Sequence, residues 1–278
     1  MKRLACLLTA ALALSPGPLR AFYHLDVAID YHATNGWRFT LYDLNYGDLP
    51  LAENPVFVPW YSLFRITNHP AYTNLLGSLD RFAWIIPETP AFGLPYLGFS
   101  AEGIASGTFA NNELSVRLTR VVGPGHCSGY ETDPFGNFIA WWNTRDGLDT
   151  NDTRRLATGS GTHRHLNWAF EQAGRYALHF QVEGRLRASP QTTARSEAVV
   201  LFDVEPPPAP RLQMFAPVGG VATVLTLASI PTLPCRIETT TDLRTWIPFT
   251  NFVPSSSTSS FSVTRDGAAF FRAAIQVP

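Results

Sequence analysis

A chain of 278 residues with 45% hydrophobic and 13% aromatic content has the material for a large buried core, which excludes global disorder. Only 15% of residues are charged, the formal net charge is -1 and Lys2 is the sole lysine, so no clustered basic stripe marks a nucleic-acid surface. The length allows one large domain or two ordinary ones.

The N-terminus reads as a secretory signal peptide over residues 1–21. Lys2 and Arg3 form a basic start, Leu4 to Leu14 an apolar run too short to span a bilayer, and Ser15-Pro16-Gly17-Pro18 a helix break before cleavage at Ala21. No other stretch approaches about 18 uninterrupted apolar residues, so no transmembrane helix is expected in the mature chain. Cys6 lies in the signal segment and lacks the context of a lipid-modified cysteine. Cys127 and Cys235 are far apart and are expected as two unpaired thiols.

From Tyr23 onward the pattern is that of β-strands. Tyr23, Leu25, Val27 and Ile29 alternate with His24, Asp26, Ala28 and Asp30, and Trp37, Phe39 and Leu41 repeat the alternation after the Asn35-Gly36 turn, which predicts a hairpin. Residues 48–95 are rich in proline and aromatics and read as short strands in long loops. Ala101-Glu102-Gly103-Ile104 reads as one helical turn. Further strands are expected over 113–122, 137–143, 174–186 and 193–204. The third of these puts Tyr176, Leu178, Phe180 and Val182 inward and leaves His179 solvated. Nothing shows sustained 3.6-residue periodicity. The fold class is therefore all-β: an immunoglobulin-like or jelly-roll-like β-sandwich over residues 22–204. A stiff linker follows at Glu205-Pro206-Pro207-Pro208-Ala209-Pro210. Residues 211–278 then form a small β-sandwich-type domain, with strands expected at 222–227, 235–239, 245–249, 260–264 and 270–275.

The stretch from Thr162 to Phe170 carries the functional question. Read as one strand, it places His163, His165 and Asn167 on one face and Leu166, Trp168 and Phe170 on the other, with the two imidazoles roughly 6.5–7 Å apart along the strand. His24 and Asp26 have the same i, i+2 relation. If the two strands are neighbours, three imidazoles and a carboxylate converge as a ligand set for zinc, copper, manganese or iron. The plainer alternative is that these groups only bond loops at the sandwich edge. His126 and Cys127 read as a turn residue and a buried thiol, and His32 and His69 as loop residues. The acidic run Asp146 to Asp152 lacks calcium-loop spacing and reads as a polar turn.

Several motifs occur in a familiar order. They are His24-Leu25-Asp26-Val27, Trp84-Ile85-Ile86-Pro87, Leu97-Gly98-Phe99, Val121-Val122-Gly123-Pro124-Gly125, and Thr162-His163-Arg164-His165-Leu166-Asn167-Trp168-Ala169-Phe170 with Ala173-Gly174-Arg175-Tyr176. Over roughly residues 22–187 the chain resembles the choice-of-anchor M, or bacterial surface-anchored protein, domain. The resemblance implies an exported cell-surface, periplasmic or extracellular module, some of whose relatives are encoded beside metal-type transporters. It implies no established activity. Two departures are Pro87-Glu88 in place of the commoner Pro-Gln, and a C-terminal part that resembles a small β module of exported bacterial proteins, through Cys235 to Trp246 and Phe270-Phe271-Arg272, rather than a sorting signal.

No complete catalytic constellation is present. Glu171 falls too late for a cupin motif, helices for a barrel amidohydrolase are missing, and Gly159-Ser160-Gly161 is not a nucleophile elbow. The expectation is an exported binding or display protein without catalytic activity, acting on an unknown surface or extracellular component. The alternative is a transition-metal-binding protein using His24, Asp26, His163 and His165, with a metal-dependent enzyme on the same residues behind it.

Overall fold

The computed structural model describes residues 23–67, 70–215, 222–264 and 269–276. The segment expected to be a signal peptide and His69 lie outside them. The all-β class holds, and residues 23–204 build three five-stranded sheets. The first sheet has the order β12 (His163–His165), β7 (Pro95–Ser100), β1 (Tyr23–His32), β2 (Gly36–Asp43) and β3 (Gly47–Pro50). The second runs β10 (Phe138–Asn143), β9 (Cys127–Thr132), β13 (Asn167–Phe170), β6 (Phe82–Ile86) and β5 (Leu63–Arg65). The third runs β11 (Thr153–Ala157), β8 (Glu113–Val122), β14 (Gly174–Arg185), β15 (Thr193–Val204) and β4 (Val56–Val58). A short helix, α1 (Pro70–Leu76), lies between β5 and β6 where only strands and loops were expected.

The three sheets enclose one core. Leu25, Val27, Ile29, Leu97 and Phe99 come from the first sheet, Trp84, Trp142, Trp168 and Phe170 from the second, and Tyr176, Leu178, Phe180 and Phe202 from the third. These are the inward members of the alternations in the sequence, because successive side chains of a strand point to opposite faces. The Tyr176 hydroxyl donates to the Gln172 carbonyl oxygen at 2.9 Å, a contact of the tyrosine-corner type, where the chain turns from β13 into β14.

Two sheets are parallel-paired at one point each, β1 with β7 and β15 with β4. The first of these pairings matters for function. It makes β7 a shared neighbour, parallel to β1 and antiparallel to β12.

Residues 211–275 form two three-stranded sheets. One has the order β16 (Arg211–Phe215), β17 (Ala222–Ala228) and β20 (Thr258–Thr264), the other β19 (Ile247–Phe252), β18 (Cys235–Thr240) and β21 (Phe270–Ile275). Glu205, the first residue of the proline-rich stretch, is tied to the preceding sheets. Its backbone carbonyl accepts from Trp84 Nε1 at 2.9 Å and its carboxylate from the Trp60 backbone N–H at 3.1 Å. Cys127 and Cys235 are buried free thiols, as expected. Burial pushes Cys127 up to about 12, which keeps it protonated and inert. Among the described residues, no helix is long and apolar enough to cross a membrane.

Candidate metal centre

The register across β7 builds the site. On the outward face of the first sheet, His24 lies opposite Tyr96, and Asp26 lies opposite Gly98, which in turn lies opposite His165. Ser100 is opposite His163. His24 and Asp26 therefore reach over β7 from one side and His163 and His165 from the other, although β1 and β12 never pair directly. Strands β1 and β7 turn their other face, Leu25, Val27, Leu97 and Phe99, into the core, whereas β12 turns Arg164 toward Glu131.

Gly98 makes the convergence sterically feasible. A Cβ there would sit 2.6 Å from the Arg164 carbonyl oxygen and 2.9 Å from Asp26 Oδ1. A glycine inside a strand marks a close approach of this kind.

His24, His163 and His165 each offer a ring nitrogen, and these nitrogens all lie within 4.8 Å of one another. Donors on a tetrahedral ion bound at 2.0–2.1 Å are about 3.4 Å apart, so these nitrogens are close enough for one ion to be shared among them after local adjustment. His24 Nε2 is 3.2 Å from Asp26 Oδ2, and His165 Nε2 is 3.7 Å from Asp26 Oδ1. The side chains of His165 and Asp26 are only 5% and 7% exposed. His24 Nε2, Asp26 Oδ1 and His165 Nε2 are nevertheless buried without a well-aligned hydrogen-bond partner, while the Leu97 backbone contributes a hydrogen bond to the His165 ring. Buried polar atoms are ordinarily satisfied, and each orphan is costly. Orphaned atoms on three adjoining side chains, with one ring nitrogen from each of three histidines mutually close, fit a cation that the polypeptide itself does not supply.

The electrostatics agree. Burial, with His24 and His163 adding to it, pulls His165 down to about 3, so the ring is neutral with its lone pair free at physiological pH. Burial raises the Asp26 carboxyl above its ordinary value, opposed by His24 and His163. Tyr96 stacks on the His165 ring with 3.5 Å between centroids and 5° between planes, fixing that imidazole's orientation. The Glu102 carboxylate lies 2.7 Å from His163 Nδ1, which leaves Nε2 of that ring for the centre. A carboxylate behind a ligating histidine is the usual outer partner of such sites.

The strands of His24 and of His163 are not neighbours as the sequence argument required, since β7 lies between them, yet the three histidines come together across it. Asn167 is a correction. The chain leaves the first sheet at Leu166 and enters the second at Asn167, so the 162–170 stretch is two strands, β12 and β13. Asn167 Oδ1 accepts from the Glu88 backbone N–H at 3.1 Å, remote from the histidines in role. His179 is a second correction. It is buried and its Nδ1 lies 2.9 Å from the Glu197 carboxylate, with the Arg120 guanidinium 2.8 Å from its Nε2. Ala101 to Ile104 is a hydrogen-bonded turn rather than a helix, and it delivers Glu102.

The acidic run is a polar turn. Asp149 caps a short 3-10 helix, and both Asp152 oxygens accept from backbone N–H groups, of Asn143 and Asp149. Sequence reading overlooked Tyr96, Gly98 and Glu102. Only the strand-interior Gly98 carried a local signal.

No protein-family model and no curated protein matches the chain.

Proposed function

We propose that this protein is an exported binding module that holds a divalent transition metal on His24, His163 and His165, with Asp26 as the buried counter-charge. The observation that carries the reading is the set of three mutually close imidazoles above buried, partnerless His165 and Asp26 atoms. Imidazole and carboxylate donors suit zinc, copper, manganese or iron, and neither free cysteine belongs to the cluster, so a thiolate-selected ion is not favoured. The resemblance to surface-anchored protein domains supports an extracytoplasmic location, and the lack of a complete catalytic constellation in the sequence supports binding or display rather than catalysis.

Metal analysis of protein purified without a histidine tag and reloaded with zinc tests this. The expected result is about one equivalent bound, lost in His163→Ala/His165→Ala while the far-ultraviolet circular dichroism is retained. Less than about a tenth of an equivalent in the unsubstituted protein, for zinc, copper, manganese and iron alike, would overturn it.

A further inference from the structure

The ligand set is lopsided, and the lopsidedness bears on what the centre does. Asp26 approaches His24 and His165 but falls outside the group whose donor atoms are all within 4.8 Å of one another. It lies on the protein side, 7% exposed and next to the 5% exposed His165, whereas the His24 and His163 side chains are 29% and 38% exposed. The floor is β7, where Gly98 contributes no side chain and Ser100 turns its hydroxyl to the Glu102 backbone N–H. The carboxylate of Glu102 is already engaged behind His163. Among the described residues, no fourth histidine, cysteine or carboxylate joins the group from the solvent side.

Structural zinc sites are closed by four protein ligands, whereas centres that act on an exogenous molecule keep three and leave a position to solvent. Resting on the metal reading above, we infer that the three histidines hold the ion with one coordination position open on the outer face of the first sheet. That position takes water or a small monodentate anion in exchange, with Asp26 a charge partner beneath the ion rather than its fourth ligand. An open position of this kind would let the module dock a carboxylate from a partner or activate a bound water, chemistry that a closed structural site does not have.

Cobalt(II) reports both coordination and exchange, and the probe is the full chain loaded with cobalt and titrated with sodium azide. Azide is expected to shift the visible ligand-field bands to saturation at one azide per cobalt. Asp26→Asn is expected to keep the cobalt stoichiometry and the azide response while weakening cobalt affinity about 10- to 100-fold, the loss typical of an outer partner. Cobalt bound with bands that azide leaves unchanged would overturn the open position and leave the metal reading standing. So would an Asp26→Asn spectrum converted to a different coordination number. Failure of the unsubstituted protein to bind cobalt would overturn both.

Discussion

His165 is the residue in which stability and binding are set against each other. Its ring is buried and its Nε2 has no well-aligned hydrogen-bond partner, an arrangement that costs free energy in the metal-free protein. Replacing it by phenylalanine keeps an aromatic ring for Tyr96 to stack on and removes the orphaned nitrogen. His165→Phe is therefore expected to raise the unfolding free energy of the metal-free protein by about 1 kcal/mol in urea melts, and to abolish metal binding. Gly98 shows the opposite economy. A methyl group there meets the Arg164 backbone carbonyl, which cannot swing aside, and the buried Asp26 carboxylate, so Gly98→Ala is expected to cost about 1–3 kcal/mol in the same melts and to weaken metal binding.

At this scale the candidate ligands were legible because strand alternation puts residues two apart on one face. Tyr96 and Glu102 were not, because their roles depend on which strand lies beside β1, and that is a long-range fact.

Among the elements that build the centre, β12 is the shortest. It is a three-residue strand paired on one side only, with β7. Between its two histidines, Arg164 points the other way and forms a two-pronged ion pair with Glu131 on β9, both contacts at 2.7 Å. Glu131 in turn accepts from Trp141 Nε1 at 3.0 Å. This clamp crosses from the first sheet to the second and sets where β12 sits. Arg164→Ala removes no metal-facing atom, yet it is expected to weaken zinc affinity about 10-fold by calorimetry, as loss of outer-shell support does.

Long alternating strands were read from sequence to the residue, as with β8 and β15, because ten or more residues of period-2 burial leave little freedom of register. The three-residue β4 and β5 and the two-turn helix α1 are too short to show a clear period. The misreading of 162–170 has the same root. Alternation continues smoothly through Leu166 in the sequence, and only the tertiary fold reveals that the chain changes sheets there.

Across the whole molecule, every residue of the centre belongs to the first sheet or to the turn that follows β7. Ligand binding to the folded state alone raises stability by mass action. Free zinc at 100 times its dissociation constant is expected to add about 2.7 kcal/mol, which for a folded unit of this size is a rise of about 5–10 °C in melting temperature. Differential scanning calorimetry with and without a chelator checks this, and His163→Ala/His165→Ala should show no such shift. The all-β class was evident from composition and periodicity. The third sheet and the parallel β1–β7 pairing were not, since strand order is decided by which apolar faces share the core.

The position of β7 between β1 and β12 has a kinetic side as well. An ion held by His24 on one flank and by His163 and His165 on the other ties together two strands that lie far apart in the chain and exchange no backbone hydrogen bonds with each other. The middle strand could then not slide out until the ion let go. With both cysteines free and buried, the chain has no covalent bridge among the described residues, and the ion would take that part as a removable rivet. Its release rate, rather than the equilibrium stability alone, would then govern how long the first sheet survives under load or in the presence of a protease.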